Sequence, residues 1–184
     1  MGIVLIIILI ILLILLIAMF AMYNTLVRLR NRVKNAWSQI DVQLKKRYDL
    51  LPNLIETVKG YMHHEANTLT KITELRSQAM SAKDIGMKMK ANTALSSALG
   101  NLKIAFENYP DLKASKNFLM LQEELSGIEN KIAYSRQFYN DSVMLNNNKI
   151  EMFPTNIVAG MFGFKKSDFF EAPENEKKNI KVSF

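Results

Sequence analysis

An unbroken apolar run over residues 3–22 constrains this chain more than any other feature, because it contains no charged residue, Pro or Gly. At the helical rise of 1.5 Å per residue the run is about 30 Å long, which matches the hydrocarbon core of a bilayer. A cleaved signal peptide would carry a basic N-terminal region, a shorter apolar run and a small-residue cleavage site. No Lys or Arg precedes Arg28. The sequence therefore predicts an uncleaved membrane anchor over residues 1–23.

Basic residues concentrate directly after the anchor. Residues 24–48 contain seven basic residues and one acidic residue, so this stretch carries about +6 of the chain's formal charge of +7. The positive-inside rule then predicts a single-pass protein of the cell membrane, with a short N-terminus outside and the C-terminal domain in the cytoplasm. The four cations nearest the bilayer are candidates for contact with anionic lipid headgroups, or they act only as the topology signal: Arg28, Arg30, Arg32 and Lys34.

Composition excludes several classes of function. The chain has no Cys, which removes disulfides, thiolate metal ligands and a thiol nucleophile. It contains no hydrolase nucleophile motif, phosphate-binding loop or dinucleotide fingerprint, so we expect neither an enzyme nor a cofactor. Nucleic acid is not an expected partner, because no aromatic stacking platform or groove-reading motif accompanies the basic stretch.

Apolar residues recur at spacings of three and four along most of the chain, which predicts an all-α fold. We expect a transmembrane helix followed by an antiparallel bundle of three or four long helices, with stripes over residues 26–48, 51–79, 84–109 and 115–153. Pro52 separates the first two stripes and predicts a turn or a sharp kink. The predicted organisation is an anchor at 1–23, a helical bundle domain at 24–153, and a short helix with an aromatic-rich tail at 154–184.

The tail contains too many aromatic side chains for a segment that trails into water. Thr155 or Asn156 is expected to cap a short helix that ends at Gly163. Seven aromatic residues are candidate oligomer or docking contacts: Trp37, Tyr139, Phe153, Phe162, Phe164, Phe169 and Phe170. Of these, we expect Phe153, Phe162 and Phe164 to fix the tail to its own helices, and Phe169 and Phe170 to reach a neighbouring protomer.

His63, His64 and Glu65 form the one group that suggests a metal or acid–base site. Adjacent positions on a helix diverge by about 100°, so the two imidazoles cannot easily bind one ion. Zinc-binding helices place two His four residues apart, and His64 has Gly60 and Thr68 at that spacing. A polar patch between helices is therefore favoured over a metal site.

The chain resembles the LemA family over nearly its whole length, and two segments carry the resemblance. The first covers residues 23–65 and includes Trp37, Asp41 and the stretch from Arg47 through Pro52 to Glu56. The second covers residues 136–171 and follows the family pattern in order, with Arg136-Gln-Phe-Tyr139-Asn140, Asn147, Phe153-Pro154, Asn156, Phe162-Gly163-Phe164 and Phe169-Phe170-Glu171. Asn146 departs from the pattern, which tends to have Tyr at this position. The resemblance implies an anchored helical bundle with a short extracellular N-terminus, and it implies little about activity. One branch of the family is linked to magnetosome membrane formation, which suggests membrane organisation by analogy.

These observations favour a membrane-anchored helical scaffold that self-assembles at the membrane and organises or shapes it. The expected partners are membrane lipid and further copies of the chain. The alternative is a regulatory adaptor for a membrane enzyme or protease, with a membrane protein as partner. A third hypothesis, a metal-dependent enzyme, rests on His63 and His64 alone.

Overall fold

The computed structural model describes residues 1–62 and 64–171. Every regular element in these residues is helical, which confirms the all-α prediction. In chain order the helices are α1 (Gly2–Lys59), α2 (Ala66–Ser81), α3 (Ile85–Ala105), α4 (Pro110–Ala114), α5 (Lys116–Glu151) and α6 (Thr155–Met161), with a 3-10 turn at Phe106–Asn108 between α3 and α4.

Helix α1 contains the anchor and continues without a break for 58 residues. Among the described residues it is the one helix long and apolar enough to cross a membrane, and its most apolar window is not buried by the rest of the chain. A core helix of a soluble protein would hide such a surface. The helix therefore indicates a single N-terminal membrane anchor.

The predicted turn at Pro52 is wrong, because α1 passes through this residue. Pro52 has no N–H to donate to the carbonyl of Tyr48, four residues earlier. That carbonyl instead accepts a hydrogen bond of 2.7 Å from Nε of Arg76 on α2. A tertiary contact thus supplies the donor that the helix lacks.

The second predicted stripe, residues 51–79, is not one helix. Helix α1 ends at Lys59 and α2 begins at Ala66. Gly60 is a poor helix former, and the residues up to Leu69 no longer repeat an apolar face. The chain reverses in this loop, where Met62 is buried. The third and fourth stripes agree with α3 and α5 to within a few residues.

The chain divides into two compact units. The first contains Met1–Gln39 and Gln137–Phe169. In this unit α5 runs antiparallel to α1, because Tyr139 packs on Trp37 while Ile150 packs near Leu26. Helix α6 closes the unit against α1.

The second unit contains Ile40–Arg136 together with Phe170 and Glu171 of the described residues. Helix α3 begins with a side-chain cap, since Oδ1 of Asp84 accepts a 2.8 Å hydrogen bond from the backbone N–H of Met87. The core consists of buried apolar side chains from α1 through α5: Leu44, Leu51, Leu54, Val58, Ile72, Ala79, Leu95, Leu102, Phe106, Leu112, Phe118, Ile128 and Ile132. Phe106 and Phe118 pack edge to face with ring centroids 4.8 Å apart.

Candidate functional site: the membrane exit and the bundle surfaces

Helix α6 packs against the part of α1 that leaves the predicted span. Its buried Val158 and Ala159 form a cluster with Leu26, and Met19 and Met22 pack against the same cluster. Met19 and Met22 belong to the last turn of the apolar run. The short C-terminal helix is therefore tied to the membrane exit of the anchor.

An aromatic group covers one side of this contact. The ring of Tyr23 lies 4.8 Å from that of Phe162 and 5.8 Å from that of Phe164, in tilted and edge-to-face arrangements. The guanidinium of Arg30 lies over the Phe164 ring at 5.2 Å from its centroid. Such aromatic and cation–π pairs each contribute roughly 0.5–1.5 kcal/mol beyond the area that they bury.

The end of α6 explains how Phe164 reaches this group. Gly163 has a φ of 68°, a conformation that side chains with a Cβ rarely adopt. The backbone N–H of Phe164 donates to the carbonyl of Ala159 at 2.9 Å, and that of Gly163 donates to Gly160 at 3.3 Å. This is a Schellman motif, in which the residue after the glycine packs back on the helix. The predicted end at Gly163 is thus correct, whereas no side chain caps the start of α6, and Thr155 is buried within the helix.

Asn147 on α5 holds the segment that follows α6. Its side-chain Nδ2 donates to the backbone carbonyl of Ser167 at 2.9 Å, and its Oδ1 accepts from the Ser167 N–H at 2.9 Å. The amide thus satisfies both backbone hydrogen-bonding groups of Ser167. The neighbouring Asn146, which departs from the family pattern, is buried too, and its Oδ1 has no hydrogen-bond partner in the described part of the chain.

Trp37 and Tyr139 contact each other within the first unit, with ring centroids 5.8 Å apart. The Tyr139 hydroxyl donates to the backbone carbonyl of Asp168 at 3.0 Å. Burial, assisted by the negative charge of Asp168, raises the pKa of Tyr139 to about 12. Both aromatic residues therefore pack inside their own chain.

The predicted lipid-contacting cations are all exposed on α1: Arg28, Arg30, Arg32 and Lys34. Two of them also lie over aromatic rings, since Arg32 is 5.3 Å from the ring centroid of Phe138 and Arg30 stacks on Phe164. Their guanidinium groups thus contact aromatic faces, while both residues remain exposed to solvent or headgroups.

The remaining tail aromatics divide into two kinds. The expectation that Phe153 fixes the tail to its own helices is wrong, because its side chain is 80% exposed at the junction between α5 and α6; Phe169 is half exposed. Phe170 was expected to reach a neighbouring protomer, but it is 3% exposed and buried by its own chain. The guanidinium of Arg136 lies over its ring at 5.8 Å.

Arg47 is a central polar residue of the second unit that sequence reasoning did not single out. It is fully buried, and its guanidinium donates to Ser96 at 2.7 Å, to Glu129 at 2.8 Å and to Asn92. Asn92 also accepts a 2.8 Å hydrogen bond from the Tyr48 hydroxyl, and burial raises the pKa of Tyr48. Residues of α1, α3 and α5 are thus joined by one polar network.

The sequence did contain a signal for this network. Arg47 lies in register with the buried stripe of α1, three residues after Leu44 and four before Leu51. A charged residue at a core position of an amphipathic helix requires a buried partner. What the pattern could not supply was the partner.

A cleft of about 220 Å³ lies beside the network, between α3 and α5. Glu129 and Ser96 reach its wall from the network, and Lys103 and Phe106 line it further along α3. A second apolar surface is found at the tip of the α2–α3 hairpin, where Met80, Ile85 and Met87 are exposed. We call these three residues the hairpin tip.

The described residues of the loop between α1 and α2, which include His64 and Glu65, do not form a metal or acid–base site. His63 lies outside the described residues, and His64 is exposed. The Glu65 carboxylate accepts a hydrogen bond from the Tyr109 hydroxyl, which raises the pKa of Tyr109. In residues 1–62 and 64–171, no three His, Asp or Glu side chains are grouped to hold a metal ion.

In residues 1–62 and 64–171, the fold is all-helical and contains one N-terminal helix that indicates a membrane anchor. The model of the LemA family matches residues 36–184, beginning after the anchor and covering the helical domain. The chain belongs to the LemA family, which confirms the resemblance seen in the sequence.

Individual relatives agree with this assignment. Protein LemA of Metamycoplasma hominis is 34% identical over 161 residues, which cover 87% of this chain and 74% of the relative. Magnetosome protein MamQ 2 of Paramagnetospirillum magneticum is 23% identical over 175 residues, covering 81% of this chain. Magnetosome protein MamQ of Magnetospirillum gryphiswaldense is 22% identical over 174 residues, covering 80% of this chain. The match spans 64% of the length of each of these two magnetosome proteins.

Proposed function

We propose that this protein is a membrane-anchored helical scaffold that self-assembles at the membrane through its helical domain. The observation that supports this most directly is the hairpin tip, where Met80, Ile85 and Met87 expose apolar surface on a domain outside the span. A groove of about 430 Å³ adjoins the tip, and Leu75 and Ala91 are among its lining residues. Several exposed apolar side chains close together at one end of a domain are typical of protein interfaces.

The interior of the bundle also favours a structural role. Its most polar group, the guanidinium of Arg47, is occupied by Ser96, Asn92 and Glu129 of the same chain. Nε of Arg47 is buried without a hydrogen-bond partner in the described residues, but the other contacts of the guanidinium join three helices and so stabilise one arrangement of the bundle. The similarity to magnetosome proteins supports a role in an organised membrane by analogy.

In this proposal the domain after the anchor is cytoplasmic, with a short N-terminus outside. The charge of residues 24–48 supports that orientation. The same residues place four exposed cations next to the bilayer, where they contact anionic headgroups. Each such cation contributes about 1 kcal/mol to attraction by an anionic surface.

Size measurement of the full chain in a mild detergent tests self-assembly. The unmodified chain should form large homo-oligomers, and replacing Ile85 and Met87 together with Ser should reduce them to small species. A matched control replaces Ile104 and Met120 with Ser, because both are exposed apolar residues away from the tip. Circular dichroism should show the same helical signal in all three proteins.

A small species for the unmodified chain would refute the scaffold. The function left would be a regulatory adaptor for a membrane enzyme or protease, which the cleft beside Glu129 and Lys103 favours as a binding surface. If both double variants formed equally small oligomers, the hairpin tip would not be the assembly surface.

A further inference from the structure

Helix α6 has an exposed apolar face on the side away from α1. Ile157 and Met161 are four residues apart and therefore lie on one side of the helix. They are 54% and 69% exposed, on the side opposite the buried Val158 and Ala159. We call these two residues the α6 apolar face.

The exposure of this face matches that of the membrane span. Ile10 and Ile17 within the span are 51% and 61% exposed, because the chain itself leaves its lipid-facing residues uncovered. Apolar side chains of this size are costly to leave in water, at about 25 cal/mol for each Å². The side chains of the α6 apolar face are thus as exposed as the lipid-facing side chains of the anchor.

The position of α6 identifies what covers the face. Its buried side packs on a cluster that includes Met19, Met22 and Leu26. These residues extend over about 10 Å of helix, centred on the end of the apolar run at residue 22. The opposite, exposed side therefore lies level with the boundary between acyl chains and headgroups.

The basic residues that follow α6 are also consistent with a position at the boundary between acyl chains and headgroups. After the Schellman turn the chain passes the exposed Lys165 and Lys166 and continues along α5 to Asp168; Lys166 forms an ion pair with Glu151. Asp168 is held by Tyr139, which packs on Trp37 and so lies on the domain side of the membrane exit. The cations consequently follow the apolar face on the side away from the span. An apolar face bordered by Lys and Arg is the pattern of helices that lie in a membrane interface.

We propose that the α6 apolar face inserts into the lipid boundary beside the anchor and forms a second contact with the membrane. Its occupant is the upper acyl-chain region of the leaflet that faces the domain. The contact would fix the rotation of α1 about its axis and would add apolar volume to one leaflet only. This inference rests on the anchor and not on self-assembly, so it stands or falls separately from the proposed scaffold.

The absence of Cys from the chain allows a direct test. Ile157→Cys and Met161→Cys, made singly in the full chain, give one nitroxide label each after reconstitution into lipid vesicles. Accessibility to oxygen and to a water-soluble nickel complex then reports depth. Leu16→Cys provides the reference inside the span, and Asp141→Cys the control at an exposed residue of α5 about 13 Å along the helix from Ile150.

Labels at 157 and 161 should favour oxygen over the nickel complex, as at 16, and should report a depth of about 5–10 Å within the interface. The label at 141 should favour the nickel complex. Circular dichroism of each labelled protein verifies that the helices are retained.

Two results would overturn the proposal. Nickel accessibility at 157 and 161 equal to that at 141 would place the face in water. Spin–spin broadening at these sites that increases with the ratio of protein to lipid would mean that a second copy of the chain covers the face. Neither result depends on the size of the particle in detergent, so the scaffold proposal is tested independently.

Discussion

Arg76 stabilises the helix that Pro52 would otherwise weaken, and this contact yields a quantitative prediction. The Tyr48 carbonyl is the acceptor left open by the proline, and the 2.7 Å hydrogen bond from Arg76 fills it. A hydrogen bond with a charged donor contributes about 1.5–3 kcal/mol. We therefore expect Arg76→Met to lower the free energy of unfolding by about that amount.

Arg76→Met should lower the free energy of unfolding by a smaller amount when residue 52 has a backbone N–H that can donate to the Tyr48 carbonyl. Pro52→Ala restores the backbone N–H and by itself should stabilise the protein, since a proline inside a helix costs about 3 kcal/mol. In that background the Tyr48 carbonyl keeps a partner after Arg76→Met. The double-mutant cycle should therefore give a coupling of about 1 kcal/mol or more.

Urea unfolding of the full chain in detergent, followed by the helical circular dichroism signal, measures the four free energies if the transition is two-state. Lys71→Met is a matched control, because Lys71 is an exposed cation on the same helix and its ion pair with Glu74 is 3.7 Å long. Its effect should stay within about 0.5 kcal/mol. Equal costs of Arg76→Met in the two backgrounds would refute the role assigned to Arg76.

Three further predictions concern ionisation and the membrane. Because burial raises the pKa of Tyr139 from 10.0 to about 12, the neutral phenol stabilises the fold fully below pH 10, and about 2–3 kcal/mol should be lost between pH 10 and 12. Tyr139→Phe should have a lower free energy of unfolding at pH 8, because the Asp168 carbonyl loses its hydrogen-bond donor. In urea unfolding at pH 12, however, this variant should not show the additional loss of stability. Equal losses between pH 8 and pH 12 in both proteins would contradict the assignment to Tyr139. Protease added to intact cells should spare the domain beyond residue 24, and digestion of that domain would reverse the proposed orientation. The juxtamembrane cations are Arg28, Arg30, Arg32 and Lys34, and replacing them with Gln should reduce energy transfer from the single Trp37 to a dansyl-labelled anionic lipid in vesicles. Unchanged energy transfer would mean that these cations act only as a topology signal.

Local patterns predicted the parts of this fold that depend on local physics. The anchor follows from twenty consecutive apolar residues, and α3 and α5 follow from their periodic apolar stripes. The end of α6 at Gly163 was also predictable, because a left-handed residue at a helix end favours glycine. Each of these features is set by residues close together in sequence.

Features that depend on a distant partner were not predictable in the same way. Pro52 is a helix breaker in isolation, and the path of α1 is settled by Arg76, which lies 24 residues later. Arg47 fits an apolar stripe poorly until Asn92, Ser96 and Glu129 are placed around it. A sequence pattern gives the requirement for a partner, and only the packing of helices provides one.

The aromatic tail shows the same division between sequence and tertiary structure. The sequence by itself determined that the chain has a membrane anchor, a basic stretch after it, an all-helical body and an apolar C-terminal segment that must be covered. It could not distinguish Phe169 from Phe170, since the two are chemically identical neighbours. Tertiary structure buries Phe170, with the Arg136 guanidinium over its ring, and leaves Phe169 half exposed. Arg136 lies 34 residues before Phe170 in the sequence, and only the folded chain brings the two together.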